Sequence, residues 1–417
     1  MENQVEKSSW ILSEEHQQFL NSQIESILLF GSGAALNQGG FGILDEKGEV
    51  MNVPLDTLQN TRMTHCFSIA SLINPAYGSL ADHGVKALLH LIQDQYNGGW
   101  FYTIGGEHSS ARKQAYIHAF VALAAASASI AKRDGAAELL EAAISVIEKY
   151  FWDEEESAMQ ESYAYDWTDA EGYRGANSNM HAVEAFLALA AATNDDKWLI
   201  RALSICERLI HKHAAVNYYG VVEHFDKHWN PVKEYNIEDK EHKFRPYGIT
   251  PGHGFEWSRL LLSLEAELIK RNHAVPDWLL TDAVHLFDAA WNKGWNVDGN
   301  PGIVYTLDFD GLPVIGARMH WVAAEAAAAA TVLFKRTFNE EYETSIEKIW
   351  SYIGRYMVDY ERGSWHHNLD EENVPTDKIW RGKPDIYHIL QCLLLPNLPI
   401  GGSIAQSVKE NAALFSF

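Results

Sequence analysis

The sequence predicts an all-α chain, folded as a closed (α/α)6 toroid with short β-hairpins at one end. Three observations carry this. Ala- and Leu-rich runs with helical periodicity dominate the chain. Six short segments recur between them, most of them β-like runs around a turn rich in Gly, Asp or Asn. Six units in 417 residues leave about 70 residues each, room for two helices and a hairpin.

The helical runs are Ala115 to Ala131, Met180 to Thr193, Ala202 to His213, Phe255 to Ile269, His320 to Phe334 and Ile389 to Leu395. Several are apolar on more than one face, which suits inner helices buried on two sides. The β-like segments begin at Gly40 (GFGILDEKGEV), Gly98 (GGWFYTIGGEH), Ser157 (SAMQESYAYDW), Tyr219 (YGVVEHFDKHWNPV), Gly302 (GIVYTLDFDGLPV) and Gly363 (GSWHHNLDEENVP). They share a pattern of elements rather than residues. An open solenoid is the competing architecture, but solenoids repeat at shorter and more even periods. No Pro- or Ser-rich linker divides the chain, so residues 1–417 are expected to form one domain.

Composition narrows the function. The chain is 47% hydrophobic and carries a net charge of −23, so it is globular, and its acidic surface repels nucleic acid and anionic membranes. No apolar run is long enough for a membrane span, and Met1 to Glu15 is polar with no signal-peptide core. Three distant cysteines, Cys66, Cys206 and Cys392, argue against a disulfide framework and for a reducing cytoplasm. Fourteen Trp and 19 His suit a pocket that stacks on and exchanges protons with a small polar ligand.

Four clusters carry candidate chemistry. Arg62 and His65 open one helix a turn apart, a fork of donors beside an imidazole. In NSNMHAVE, Asn177 or Asn179 is a candidate helix cap and His181 falls on the first turn, with a structural His as the plain alternative. In FRPYGITPGHGFEW, Thr250 caps, Pro251 takes the first helical position, and Gly252 and Gly254 flank His253. Glu256 lies three residues after His253, where a carboxylate can reach and orient the imidazole. In WRGKPDIYH, His388 follows Pro384 much as His253 follows Pro251. In a closed toroid both histidines would enter one central cavity, where two imidazoles can trade acid and base roles.

Other chemistries find no pattern. There is no HExxH, no Cys-rich ligand set, no phosphate- or dinucleotide-binding glycine loop and no G-x-S-x-G elbow. His366 and His367 diverge on a strand, so neither a metal nor a cofactor is expected. Asp308 and Asp310 could serve a glycosidase, but an acidic hairpin turn explains them better.

The stretches RMTHCFSIA, KQAYIHAF, GANSNMHAVEA, FRPYGITPGHGFEW, WVAAE and KPDIYH resemble the N-acylglucosamine 2-epimerase superfamily. Within it the sequence is most similar to the aldose–ketose isomerase branch that acts on mannose or sulfoquinovose. The resemblance implies an (α/α)6 barrel with a metal-free site in its mouth. By it, His253 and His388 match the catalytic histidines, and Arg62, Tyr116, Asn177, His181, Glu256 and Trp321 match site-lining residues. Lys113, a turn before Tyr116, is expected to support it. His320 stands where the family more often has a second Trp.

The reaction so implied is D-mannose to D-fructose through a cis-enediolate, with D-lyxose to D-xylulose tolerated because lyxose lacks only C6. His388 takes the C2 proton and returns it to C1, His253 with Glu256 opens the ring, and Arg62 holds the enediolate oxygen. Asn368 is a candidate contact to a neutral sugar, whereas Arg245 and Lys383 would serve a sulfonated one, so a sulfoquinovose isomerase is one alternative. A sugar 2-epimerase of the mannose, cellobiose or N-acylglucosamine type is another, and a carbohydrate-binding toroid is the non-enzyme reading. The expected partner is a small monosaccharide, with no nucleic acid or membrane, and the chain is compatible with a homo-oligomer.

Overall fold

The computed structural model describes residues 9–104 and 112–415. Within them thirteen α-helices follow one another as α1 (Glu14–Ser32), α2 (Thr57–Ile73), α3 (Gly78–Ala87), α4 (Ala115–Ile130), α5 (Ala136–Val146), α6 (Ala176–Thr193), α7 (Lys197–Cys206), α8 (Pro251–Lys270), α9 (Trp278–Gly294), α10 (His320–Thr337), α11 (Glu340–Tyr352), α12 (Tyr387–Leu394) and α13 (Ile404–Asn411). The even-numbered helices α2 to α12 form an inner ring in which each packs on the next and α12 returns to α2. The odd-numbered helices lie outside, and α13 packs on α2, α4 and α6.

Side-chain pattern explains which helix goes where. Ile117 to Ala126 of α4 and Pro251 to Glu265 of α8 are buried without interruption, as a helix covered all round requires. Outer α7 buries one stripe, Trp198, Leu199, Ala202, Ile205 and Cys206. Runs of Ala, such as Ala326 to Ala330 in α10, let inner helices approach closely.

The β-segments are present, but much of their pairing runs between units rather than within each hairpin. The residues entering each inner helix pair with the hairpin of the following unit. Leu55–Asp56 pairs with Thr103–Ile104, Lys113–Gln114 with Ser162–Tyr163, and Tyr173–Gly175 with His224–Asp226. Ile249 bridges to Leu307, and Arg318–Met319 pairs with Asn368–Leu369. The sixth link closes the circle: the Lys383 amide donates to the Leu44 carbonyl at 3.0 Å, joining the last unit to the first. This closure excludes an open solenoid, whose ends cannot meet. The tail of the second hairpin, from Gly105, and the Met1–Ser8 end of the polar N-terminus lie outside the described residues.

Several local expectations are corrected. Gly175, not Asn177 or Asn179, stands at the cap of α6, and Asn179 instead accepts from the Met159 amide at 2.9 Å. The Thr250 hydroxyl makes no capping bond. Asp308 accepts from the Asp310 and Leu312 amides, so it builds a hairpin turn. Cys66, Cys206 and Cys392 are buried and free. No described helix is long and apolar enough to cross a membrane.

Candidate active site

Because every inner helix starts at the hairpin end, the first turns of α2, α4, α6, α8, α10 and α12 converge there. They enclose a cavity of about 420 Å³, within the roughly 300–1,000 Å³ usual for small-molecule sites. Eight of the nine residues singled out from sequence line it: Arg62, Tyr116, Asn177, His181, His253, Glu256, Trp321 and His388. Asn368 does not. It lies in the strand paired with the entry to α10, where its amide donates to the Thr376 carbonyl at 2.9 Å.

The two histidines share one compartment, with the Trp321 ring 5.2 Å from His253 and 5.8 Å from His388 between centroids. Gly252 permits this arrangement, since a Cβ there would meet the Trp321 ring at 2.5 Å. The second glycine, Gly254, lies against Ala290 of α9, so both flanking glycines serve close packing.

Each imidazole sets its Nδ1 2.8 Å from a buried carboxylate oxygen, His253 from Glu223 and His388 from Glu325, and an ionised carboxylate there can only accept Nδ1–H. That leaves each Nε2 free to accept a proton. The expected orienting acid of His253, Glu256, is therefore replaced by Glu223. An i,i+3 carboxylate shares the helix face of His253, but Glu256 turns toward His181 and Arg259, at 3.7 and 3.9 Å. Glu223 comes from the fourth hairpin, brought in because that hairpin pairs with the entry to α6.

Beneath the cavity three carboxylates, Glu184, Glu256 and Glu325, surround one guanidinium, Arg259. Arg259 binds Glu325 through Nε and Nη2 at 2.9 and 3.4 Å. Glu184 accepts from the Tyr387 hydroxyl and from Gln391, and lies below its usual range despite burial, with His181 and Arg259 nearby. Burial, then the charge of Glu325, pushes Glu256 well above the carboxylate range. The His388 imidazole is held well below its ordinary value by burial and then by Arg62, which keeps it a neutral base. Burial likewise holds His181 and His320 down to about 4.

On the opposite wall Arg62 pairs with Asp385 at 3.0 Å and donates to the Tyr116 hydroxyl at 3.3 Å. Its guanidinium lies over the Phe120 and Tyr387 rings. Burial is the largest single influence on the Asp385 carboxylate and disfavours it, yet Arg62, His320, the Tyr387 amide and His388 together hold the group below its usual range. Lys113 does not support Tyr116; it is buried against Asp94 at 2.8 Å and the Gly98 carbonyl. His65 pairs with Ser127 away from the cavity. His320 stacks on His367 at 3.6 Å where the resemblance leads one to expect a Trp.

The atoms of His181, Glu184 and Glu256, and those of Glu256, Glu325 and His388, are close enough to surround an ion. Arg259 already supplies a cation to both groups. Sequence reading left Glu223, Arg259 and Asp385 unassigned. Glu325 carries a weak signal, four residues after Trp321 on one helix face.

A helical ring that aims two carboxylate-backed imidazoles at one polar cavity is built for proton transfer on a small molecule. The chain belongs to the N-acylglucosamine 2-epimerase (GlcNAc 2-epimerase) family, whose profile matches residues 39–392. It is 49% identical over 403 residues to a D-mannose isomerase of Pseudomonas cannabina pv. alisalensis, covering 96% of this chain and 97% of that one. It is 45% identical to a D-mannose isomerase of Thermobifida fusca, covering 95% and 98%. A solved D-mannose isomerase structure superposes with a TM-score of 0.84 at 30% identity, covering 91% of this chain and 97% of that one.

Proposed function

We propose that this chain is an aldose–ketose isomerase that interconverts D-mannose and D-fructose. The observation that carries the reading is the pair of imidazoles on either side of Trp321, each with a carboxylate on Nδ1 and a free Nε2. The D-mannose isomerases to which the chain is similar supply the substrate. His388 removes the proton from C2 of the open-chain sugar and delivers it to C1 on the same face. His253, held by Glu223, opens the ring and moves protons between O1 and O2. Arg62 stabilises the enediolate oxygen through the donors that Asp385 and Tyr116 keep in place. Glu256, whose Oε1 has no hydrogen-bond partner among the described residues, is placed in the cavity wall to bond a sugar oxygen. Tyr116, Asn177 and His181 line the hydroxyl-binding wall, and Trp321 packs on the apolar face of the sugar.

Proton transfer by a positioned imidazole contributes roughly 10²–10⁴-fold, and orientation and charge stabilisation supply the rest. A neutral substrate is favoured because the cations assigned to a sulfonate are engaged elsewhere. Arg245 pairs with Glu171 and Glu161 and lies over Tyr173, while Lys383 is buried on Asp359. The sulfonated-sugar reading retains one observation, the exposed Lys243 and Arg381 among the cavity-lining residues. Incubation with mannose in D2O tests the proposal. Deuterium entering C1 of fructose supports it, whereas label confined to C2 of a glucose product replaces it with a 2-epimerase. Faster turnover of sulfoquinovose than of mannose would move the substrate to the sulfonated class.

A further inference from the structure

The two catalytic imidazoles differ in what stands behind their carboxylates. Glu325 is gripped by the Arg259 guanidinium at 2.9 and 3.4 Å, while among the described residues Glu223 is paired with His253 itself. Arg259 is buried, is not among the cavity-lining residues, and so cannot touch a substrate held there. It is also the cation that three buried carboxylates share.

We infer that Arg259 is a positioning residue that sets the tautomer of His388: by keeping Glu325 ionised it forces the proton onto Nδ1 and leaves Nε2 as the base. The inference rests on the reading of His388 as the group that works on the sugar carbon.

The physical reason is a competition for one proton between Glu325 and the imidazole. An ionised carboxylate only accepts, so the 2.8 Å contact must be Nδ1–H donating to Glu325. Burial and the neighbouring charge of Glu184 push Glu325 upward, and Arg259 opposes them. Without the guanidinium, Glu325 would sit charged beside the charged Glu184 at low dielectric, and it becomes a neutral acid instead. A neutral acid donates to Nδ1, which moves the imidazole proton to Nε2. The atom facing the substrate then carries a hydrogen and cannot accept one from C2. The other charged or titratable groups around His388 include Arg62 from α2, His181 from α6, His320 from α10, His367 from the sixth hairpin, Asp385 just before α12 and Tyr387 beside it. Among the described residues the hydrogen bond at Nδ1 is the one to Glu325, so Glu325 is the group that decides the tautomer.

The test needs no substrate for its first reading. Two-bond proton–nitrogen correlation spectra of ¹⁵N-histidine protein, with His388 assigned by its loss in His388→Ala, should show the Nδ1–H tautomer in the wild type. An Nε2–H signature there overturns the proposal before any Arg259 variant is made. Arg259→Met should switch His388 to Nε2–H and lower kcat on mannose by ~10²-fold or more, with KM changed by less than about 3-fold. Arg259→Lys restores a cation and should keep Nδ1–H and kcat within about 10-fold of wild type. A folded Arg259→Met that keeps Nδ1–H, or keeps kcat within about 3-fold, overturns the assignment. If Arg259→Met fails to fold, Arg259→Lys decides, and loss of kcat with Nδ1–H unchanged counts against the proposal. Absence of mannose turnover in the wild type would instead reject the isomerase reading, leaving the tautomer result to stand or fall separately.

Discussion

Glu223 Oε1 lies 2.8 Å from His253 Nδ1, across 30 residues of sequence, and joins the fourth hairpin to the first turn of α8. This contact gives the proton shuttle a fixed tautomer and a fixed ring plane. Glu223→Gln should lower kcat on mannose by roughly 10–100-fold with little change in KM. Steady-state kinetics on circular-dichroism-matched protein checks this, and an unchanged kcat would mean that His253 needs no carboxylate.

The Arg62–Asp385 pair yields a second expectation. Arg62→Met removes the fork of donors at the developing enediolate charge and should cost roughly 10²–10³-fold in kcat. Arg62→Lys should recover little, because an ammonium cannot bind Asp385, Tyr116 and the substrate together. Full activity in the Lys variant would assign Arg62 to ground-state charge balance alone.

Trp321 should act on binding rather than on chemistry. Trp321→Ala removes the apolar face between the two imidazoles and should raise KM for mannose by about 10-fold, near 1.4 kcal/mol. Isothermal titration of a non-reacting sugar alcohol reports the same loss. The outcome that sinks this assignment is an unaltered affinity.

Acid stability follows from the buried histidines. Burial holds His65, His181 and His320 down to about 4 and His118 to about 3. Between pH 6.5 and 4 the unfolded chain takes up protons that the folded chain refuses. Stability therefore falls as pH falls, by about 1.4 kcal/mol per unit for each such group. Asp56, raised by burial to about 6, works in the opposite direction, as do the raised Glu161, Glu256, Asp288 and Glu325, but His16, His213, His224, His367 and His388 are also held down and add to the first group. Calorimetry at pH 7 and pH 5 should give the lower Tm at pH 5, and an equal or higher Tm would contradict the sign.

Removal of metal should leave the reaction intact. In the carboxylate cluster the guanidinium of Arg259 already supplies the positive charge. Dialysis against EDTA should not change kcat, and inhibition reversed by a divalent ion would overturn the metal-free reading.

The helical ring was legible because its signals are local. Periodicity, Ala content and turn residues act within a few positions, so the six units and the four clusters could be read directly. Eight of the nine residues given a catalytic or sugar-binding role line the cavity for the same reason, since they occupy the first two turns of inner helices. The failures share one cause. Glu256 was given to His253 because i,i+3 neighbours share a helix face, but a side chain also chooses among partners from other helices. Asn368 lies in the strand beside the entry to α10, and that pairing turned its amide toward the Thr376 carbonyl.

The chain alone thus determined the helices, the hairpins and the two imidazoles, each encoded by spacing along one segment. Tertiary structure decided which carboxylate backs each imidazole, where the buried guanidinium sits, and how the ring closes through Lys383 and Leu44. Those contacts join residues 30 to 339 positions apart, and their strength depends on burial, which no local pattern of residues specifies.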